Sequence, residues 1–432
     1  MYIKVKNKLE ASLFFSALWL VLAFYLALPW ANDLSNMVTP AVAWFIVAGL
    51  ALVPGVAMSF IIAALIFDHR PEYNVPVILP DISILIAAYN EEEYVEQTLE
   101  SICVQNYPGH VEIIVVDDGS EDNTYRVVSE FLAKVDNDIK PLQMEKNSGK
   151  ANALNFGLEH TSYETIVTID ADTLLHNKAL ENLVSNLVAG PENTAAVAGT
   201  VLAHNSRKNL ITRMQEWDYF HGIAVIKRIQ SLFQGTLVAQ GAFSAYNKQA
   251  VKDSGGWPDT VGEDIVLTWG LQEKGYRIGY AENAFVFTNV PDTYGNFFRQ
   301  RKRWSRGLME AFKHHSKLIS EIRLNTFFIW LNVTFPYIDF VYLFVFIPGL
   351  IAAIFFQFYA VVGLMTVLLL PLALLINWII YFKQRKIFKE NGLHIRHNIA
   401  GFTLYLLGYQ AIMAPACVFG YLSEFFHMRK SW

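Results

Sequence analysis

Apolar positions along the chain fall into two patterns. Residues 11–30 are almost unbroken apolar sequence, about the 20 positions a helix needs to cross a bilayer. Residues 38–67 form a second such run, with Pro40 and Pro54 as predicted kinks. From 81 to 315 the pattern changes to short apolar runs alternating with helix-period segments. Beyond that, apolar sequence resumes at Leu324, interrupted by Pro336 and Pro348. It predicts an interfacial helix over 324–335 and spans over 337–356, 358–381 and 399–422. The chain is therefore expected to comprise two N-terminal membrane helices and a linker (1–80), a water-facing domain (81–320), and a membrane region with about three spans (321–432).

Within the middle segment, strands are predicted at 82–87, 111–116, 139–144, 165–169 and 195–201. Helices are predicted at 123–135, 151–159 and 178–188, with another after 82–87 carrying Val95, Leu99 and Ile102 on one face. Strands that are continuously apolar are those buried on both faces of a sheet. Their alternation with helices predicts an α/β domain with a mostly parallel sheet. Ligands of such sheets bind beyond the carboxyl ends of the strands.

Composition adds an orientation. Of the 432 residues, 53% are hydrophobic and 17% charged, below the quarter charged of an average soluble domain. Basic residues sort to the cytosolic side of a membrane. Lys4, Lys6 and Lys8 precede the first span, and the short loop 31–37 carries one Asp and no base. The three lysines resemble the start of a signal peptide, but the apolar run is longer than the roughly 7–15 residues of a signal core, so a retained anchor is predicted. Two crossings then place the middle domain in the cytosol, at the cell's inner membrane. Lys383, Arg385, Lys386 and Lys389 come out inside by the same count, whereas the basic tail His427-Met428-Arg429-Lys430 comes out on the far side. A net charge of −5 gives no reason to expect nucleic acid. Cys103 and Cys417 fall in different environments, so no disulfide is expected.

The residues after the strands are acidic. The first strand runs into Asn90-Glu91, the second into Asp117-Asp118-Gly119-Ser120, the fourth into Asp170-Ala171-Asp172. Any one could be a helix cap or a turn carboxylate. Three at one sheet edge repel each other, and a cation between them would relieve it. No Gly-x-Gly-x-x-Gly follows the first strand. Ser148-Gly149-Lys150-Ala151 lacks the earlier glycine and the Ser/Thr of a phosphate loop, so neither a dinucleotide oxidoreductase nor a P-loop ATPase is indicated.

Further on come Glu263-Asp264 and Gln300-Arg301-Lys302-Arg303-Trp304. Taken in order with the three acidic ends, these resemble the processive branch of the family 2 glycosyltransferases, which includes cellulose, chitin, hyaluronan and poly-N-acetylglucosamine synthases. The resemblance covers residues 82–315. It implies a GT-A type fold, a UDP-sugar donor, a growing glycan acceptor and a Mg or Mn ion. Asp117 or Asp118 would meet the uridine, with Asn90 and Glu91 beside it. Lys150 would meet uracil or phosphate, and Asp172 with Asp170 would hold the metal. Asp264 would be the general base, next to Glu263, although both also suit the cap of their helix. Gln300, Arg303 and Trp304 share one helix face, where Arg303 would bind diphosphate and Trp304 a sugar ring. Arg299, Arg301, Lys302 and Arg306 would turn toward anionic membrane lipid. Gln240-Gly241-Ala242 is expected to shape the acceptor site. Asp339 faces a polymer path or sits at the membrane interface.

Asn147 to Leu154 and the two leading spans resemble the poly-N-acetylglucosamine group, so the expected product is poly-β-1,6-N-acetylglucosamine, made from UDP-N-acetylglucosamine and exported. Two positions depart from the family's pattern: Gly262 where Thr is usual, and Ser305-Arg306-Gly307 where Ala-Gln-Gly is usual. Other β-glycans, and single transfer to a polyprenyl phosphate, are the alternatives for the reaction. A catalytically dead nucleotide-sugar sensor or membrane scaffold is the alternative outside enzymes, and the intact Asp170, Asp172 and Asp264 argue against it. No appended regulatory domain is evident, so an accessory membrane subunit is a candidate partner.

Overall fold

The computed structural model describes residues 3–69, 78–395 and 397–429. Two apolar helices lead, α1 (Val5–Ser35) and α2 (Pro40–Ile66). The sheet domain follows: β1 (Ile82–Ala88), α3 (Val95–Cys103), β2 (Val111–Asp117), α4 (Thr124–Leu132), β3 (Asp138–Gln143), α5 (Lys150–Glu159), β4 (Thr165–Ile169), β5 (Leu174–Leu175), α6 (Ala179–Val188) and β6 (Thr194–Ala203). Next come α7 (Leu210–Trp217), a wide π-type turn (Asp218–Ile223), α8 (Ala224–Leu232), β7 (Phe243–Asn247), α9 (Lys248–Asp253), α10 (Glu263–Glu273), β8 (Arg277–Thr288), α11 (Tyr294–His314) and the short α12 (Lys317–Ser320). The chain closes with α13 (Thr326–Phe356), α14 (Leu364–Glu390) and α15 (Ile399–Phe425).

Eight strands form one sheet in the order β3-β2-β1-β4-β7-β6-β8-β5. β1 pairs in parallel with both β2 and β4, and β6 with β8. β7 runs antiparallel between β4 and β6. The two apolar cores on either side of the sheet, one built on Ile84, Ile86 and Val115, the other on Leu85, Ile114 and Val116, are the alternating faces of the same strands. From β1 the order runs outward through β2 and β3 on one side and through β4 on the other. The crevice beyond the carboxyl ends of β1 and β4 is therefore the switch point of this sheet, and the acidic segments found in the sequence open into it. Cys103 and Cys417 are both free thiols.

The C-terminal helices depart from expectation. The chain is helical without a break from Thr326 to Phe356, so 324–335 is not a separate interfacial helix. Pro336 is carried inside it, and the turns widen over Tyr342–Phe346, just before Pro348. Such local widening re-satisfies backbone groups that a proline frees. Tyr337 reaches the carbonyl of Phe45 on α2.

α15 is long and apolar enough to cross a membrane, yet it is fastened to the sheet domain along its length. Asn398, its cap, donates to the carbonyl of Arg213 at 2.9 Å and accepts the helix N–H of Gly401. Midway, the Tyr409 hydroxyl donates to Asp218 at 2.8 Å. At its end Glu424 accepts from Arg306 at 3.0 Å and from Lys313 at 2.7 Å. Arg306 also donates to the carbonyls of Met428 and Arg429. The tail through Arg429 is therefore bonded to the sheet domain, although α15 keeps the length and composition of the span expected over 399–422; Lys430 lies outside the described residues. Glu424 is the reason: its partners Arg306 and Lys313 are about two turns apart on one face of α11. Asp339 is likewise accounted for within the protein, accepting from Gln410 at 2.8 Å and Tyr421 at 2.9 Å.

Candidate active site

The turn after β1 is tied to the turn after β2. Asn90 takes a left-handed backbone (φ 57°), which Asn tolerates better than most residues. Its N–H donates to the Ser120 hydroxyl at 2.9 Å, and its side-chain oxygen accepts the Glu121 N–H at 2.8 Å. The Glu91 N–H donates to Thr124 at 2.8 Å. Asn90 is thus spent on the frame of the crevice, while the Glu91 carboxylate projects among charges.

Asp117 and Asp118 divide their work. Asp117 accepts from the Ser120 N–H at 3.2 Å and from Gln143 at 3.1 Å. Asp118 gives one oxygen to the N–H of Ser148 and the other to that of Gly149, both at 2.8 Å. Both oxygens of Asp118 hold the loop that delivers Lys150, and both of Asp117 are engaged by Ser120 and Gln143. Gly119, with φ +67°, lets this loop close: a Cβ there would fall 2.6 Å from the Lys146 backbone.

Lys150 opens α5 and reaches across the crevice. Its ammonium pairs with Asp170 and stands 3.8 Å from Glu263. Burial favours the neutral amine, but Asp170 and Glu263 outweigh it and hold Lys150 protonated above the ordinary lysine range. Gly241 makes room for it, since a Cβ there would sit 2.7 Å from the amine nitrogen. The Gln240-Gly241-Ala242 segment therefore borders the Lys150 end of the site.

Asp172 receives the Thr288 hydroxyl of β8 at 3.1 Å to each oxygen. Burial, then the neighbouring Asp170, pushes it up to about 6. Glu91 rises to about 7 from burial, with Asp172 and Asp170 adding to it. Such shifts mark carboxylates short of positive charge. Among the described residues no three His, Cys, Asp or Glu side chains converge as a complete metal-ligand set. A two-carboxylate site fits a divalent ion whose remaining oxygens come from a diphosphate and water.

Glu263 and Asp264 form the first turn of α10. Glu263 is buried, and burial pushes its carboxyl up. Asp264 accepts the N–H of Ile265 at 2.7 Å, so it caps its helix with one oxygen and keeps the other. α11 crosses this turn at van der Waals contact: a Cβ on Gly262 would lie 2.6 Å from the Gly307 Cα, and one on Gly307 2.7 Å from the Gly262 Cα. The Gly262 N–H donates to Glu310 at 3.0 Å. This crossing accounts for Gly262; the other two departures, Ser305 and Arg306, lie against α15 instead, Ser305 at Gly420 and Arg306 at Glu424.

α11 carries Gln300, Arg303 and Trp304 toward the same crevice. Arg303 acts electrostatically on Glu263. The Trp304 ring is 40% exposed and lies 6.4 Å from Tyr219. The Gln300 side-chain oxygen is buried without a partner among the described residues. The expected lipid-facing basic surface does not form as predicted. Arg301 is buried, paired with Asp218 at 2.9 Å, its guanidinium 4.0 Å from the Trp304 ring centroid. Arg306 is buried on Glu424. Both turn inward because the domain and α15 supply buried carboxylates there, and unpaired buried charge is costly.

Three residues at the site were not anticipated. Arg301 backs the Trp304 plate, and Tyr219 flanks it. Lys227, buried on α8, contacts the Gln240 amide oxygen; burial pushes its amine down to about 7, and the charge of Asp264 opposes this. A lysine among Val225, Ile226 and Ile229 was the available signal.

Residues 83–255 match the glycosyl transferase family 2 model, so this segment is a family 2 glycosyltransferase domain, and its fold is GT-A-like. Among curated proteins it is 38% identical over 227 residues to a poly-beta-1,6-N-acetyl-D-glucosamine synthase of Staphylococcus epidermidis, covering 52% of this chain and 54% of the relative. It is 36% identical over 241 residues to the synthase of the same name from Staphylococcus aureus strain COL, covering 56% and 57%. The match thus spans about half the length of these relatives. A mannosyltransferase from Pyrobaculum calidifontis, solved with GDP-Man and Mn2+, superposes with a TM-score of 0.63 at 20% identity, covering 89% of this chain and 99% of that one. That likeness is one of fold, and it extends into the flanking helices.

Proposed function

We propose that the chain is an inverting, processive glycosyltransferase that polymerises β-1,6-linked N-acetylglucosamine from UDP-N-acetylglucosamine at the membrane. The observation that carries this reading is the Gly262–Gly307 crossing. It holds the turn of Glu263 and Asp264, a general-base candidate, against the helix that bears Arg303 and Trp304, so that one junction would supply a base, a diphosphate ligand and a sugar platform. The names of the staphylococcal relatives support the choice of polymer.

In this mechanism Asp117 takes the uridine, and Lys150 and Arg303 hold the diphosphate. Asp172 and Asp170 would hold a Mg or Mn ion, which supplies charge neutralisation for the departing diphosphate when bound. Trp304, backed by Arg301, supports the terminal acceptor sugar. Asp264 accepts the proton of that sugar's attacking hydroxyl. The hydroxyl oxygen bonds to the anomeric carbon as the bond to UDP breaks on the opposite face, so an α-linked donor gives a β-linked product.

The shared side of the sheet domain, Lys4, Lys6 and Lys8, and the basic tail supports a cytosolic catalytic domain by the positive-inside rule. It also supports four crossings, α1, α2, α13 and α14, with α15 lying against the domain. A donor test decides the sugar: the purified chain with Mn2+ should release UDP from UDP-N-acetylglucosamine faster than from UDP-glucose or UDP-galactose. Preference for UDP-glucose would overturn the donor assignment.

A further inference from the structure

Outside the catalytic crevice, a cavity of about 440 Å³ opens between the π-type turn, α14 and the start of α15. Its volume is in the range of small-molecule sites, roughly 300–1,000 Å³. Trp217, Leu375, Trp378 and Phe402 contribute to its apolar wall. Two buried polar groups also line it: Asn398, already bonded to Arg213 and Gly401, and His221, at 4% exposure.

The hydrogen-bond network fixes what His221 offers. The Asn377 amide nitrogen donates to the Ala373 carbonyl at 2.8 Å, so its oxygen is the acceptor that faces His221 Nδ1 at 3.0 Å. Nδ1 therefore carries the proton, and Nε2 is a bare lone pair. Nε2 is buried and has no partner among the described residues. Burial pushes the imidazole down to about 4, so it is neutral at physiological pH. A buried acceptor left without a donor is costly. No Lys or Arg is among the described residues that line the cavity, which disfavours a phosphate headgroup.

We propose that this cavity binds a neutral membrane lipid with a free hydroxyl, its hydrocarbon chain against the tryptophan and leucine wall and its O–H donated to His221 Nε2. The site goes beyond the sugar-transfer reading and does not depend on it. Its position gives it a consequence: the turn that bears His221 also bears Asp218 and Tyr219. These hold Arg301 and flank Trp304, so an occupied cavity would stiffen the wall of the acceptor platform.

The full chain in nanodiscs would be irradiated with a diacylglycerol bearing a diazirine in one acyl chain, and separately with its O-methyl ether, which lacks the donor. Crosslinked peptides are then mapped by mass spectrometry. The diacylglycerol should label residues 374–381 and 397–402, and the ether about fivefold less, as expected for one net hydrogen bond. His221→Phe should lower labelling to the level of the ether. His221→Gln, which restores an acceptor, should recover it. Leu375→Trp, which fills the cavity but keeps the imidazole, should also abolish labelling and guards against misfolding of the histidine variant. Equal labelling by the ether, undiminished labelling of His221→Phe, or labelling only elsewhere would overturn the proposal. So would a photocrosslinker at position 375 that captures a polypeptide instead of lipid.

Discussion

Asp264 and Asp172 sit in one crevice with different surroundings, and single substitutions separate their roles. Asp264 spends one oxygen on its own helix and is proposed to take a proton with the other. Asp264→Asn keeps the shape and loses the proton acceptor. Transfer should fall about a hundredfold or more, while calorimetry should still show Mn-dependent UDP binding. Asp172→Ala should do the reverse at the binding step, removing the metal dependence of UDP affinity. Retention of more than about a tenth of activity by Asp264→Asn would remove it as base, and unchanged metal dependence in Asp172→Ala would remove it as ligand. The acidic cluster was readable because strand ends announce themselves as apolar runs that stop at Asn-Glu, Asp-Asp or Asp-x-Asp. The partners of each carboxylate were not, because Asp118 meets two backbone N–H groups where Asp117 meets one and the Gln143 amide.

At the scale of elements, the junction of α10 and α11 makes the strictest demand. Gly262 and Gly307 touch backbone to backbone, so Gly307→Val must push the helices apart. Overpacking of this kind costs about 1–3 kcal/mol. The thermal midpoint should drop, and transfer should fall further than UDP binding, because the proposed base and the tryptophan part company while Lys150 and the proposed metal ligand Asp172 stay with the sheet, and of the proposed donor ligands only Arg303 moves with α11. Equal losses in both would place the defect in the fold as a whole. In the sequence Gly262 departs from the family's pattern and Gly307 keeps to it, 45 positions apart; only packing shows them as a pair. β1, β2 and β4, by contrast, were legible almost to the residue, since burial on both faces writes an uninterrupted apolar run, whereas β8, parallel to β6, was not predicted.

For the whole molecule, the difficulty was the C-terminal region. A stretch such as α15 has the length and composition of a membrane span, and hydropathy does not register that Asn398, Tyr409 and Glu424 each bind the sheet domain. We propose that those three anchors keep its two ends on one side. Single cysteines placed at Lys386 and His427 should therefore react alike with a membrane-impermeant maleimide in sealed cells, both protected until the membrane is opened. A reactive His427→Cys beside a protected Lys386→Cys would return α15 to the bilayer.

The central claim joins a site to a product, and the product decides it. The purified chain should be supplied with UDP-N-acetylglucosamine and Mn2+, and the polymer digested with glycosidases of known linkage. The account predicts a long glycan degraded by a β-1,6-specific hexosaminidase and resistant to chitinase and cellulase. A product that resists the hexosaminidase and yields to chitinase or cellulase, or a single sugar left on a lipid, would contradict it.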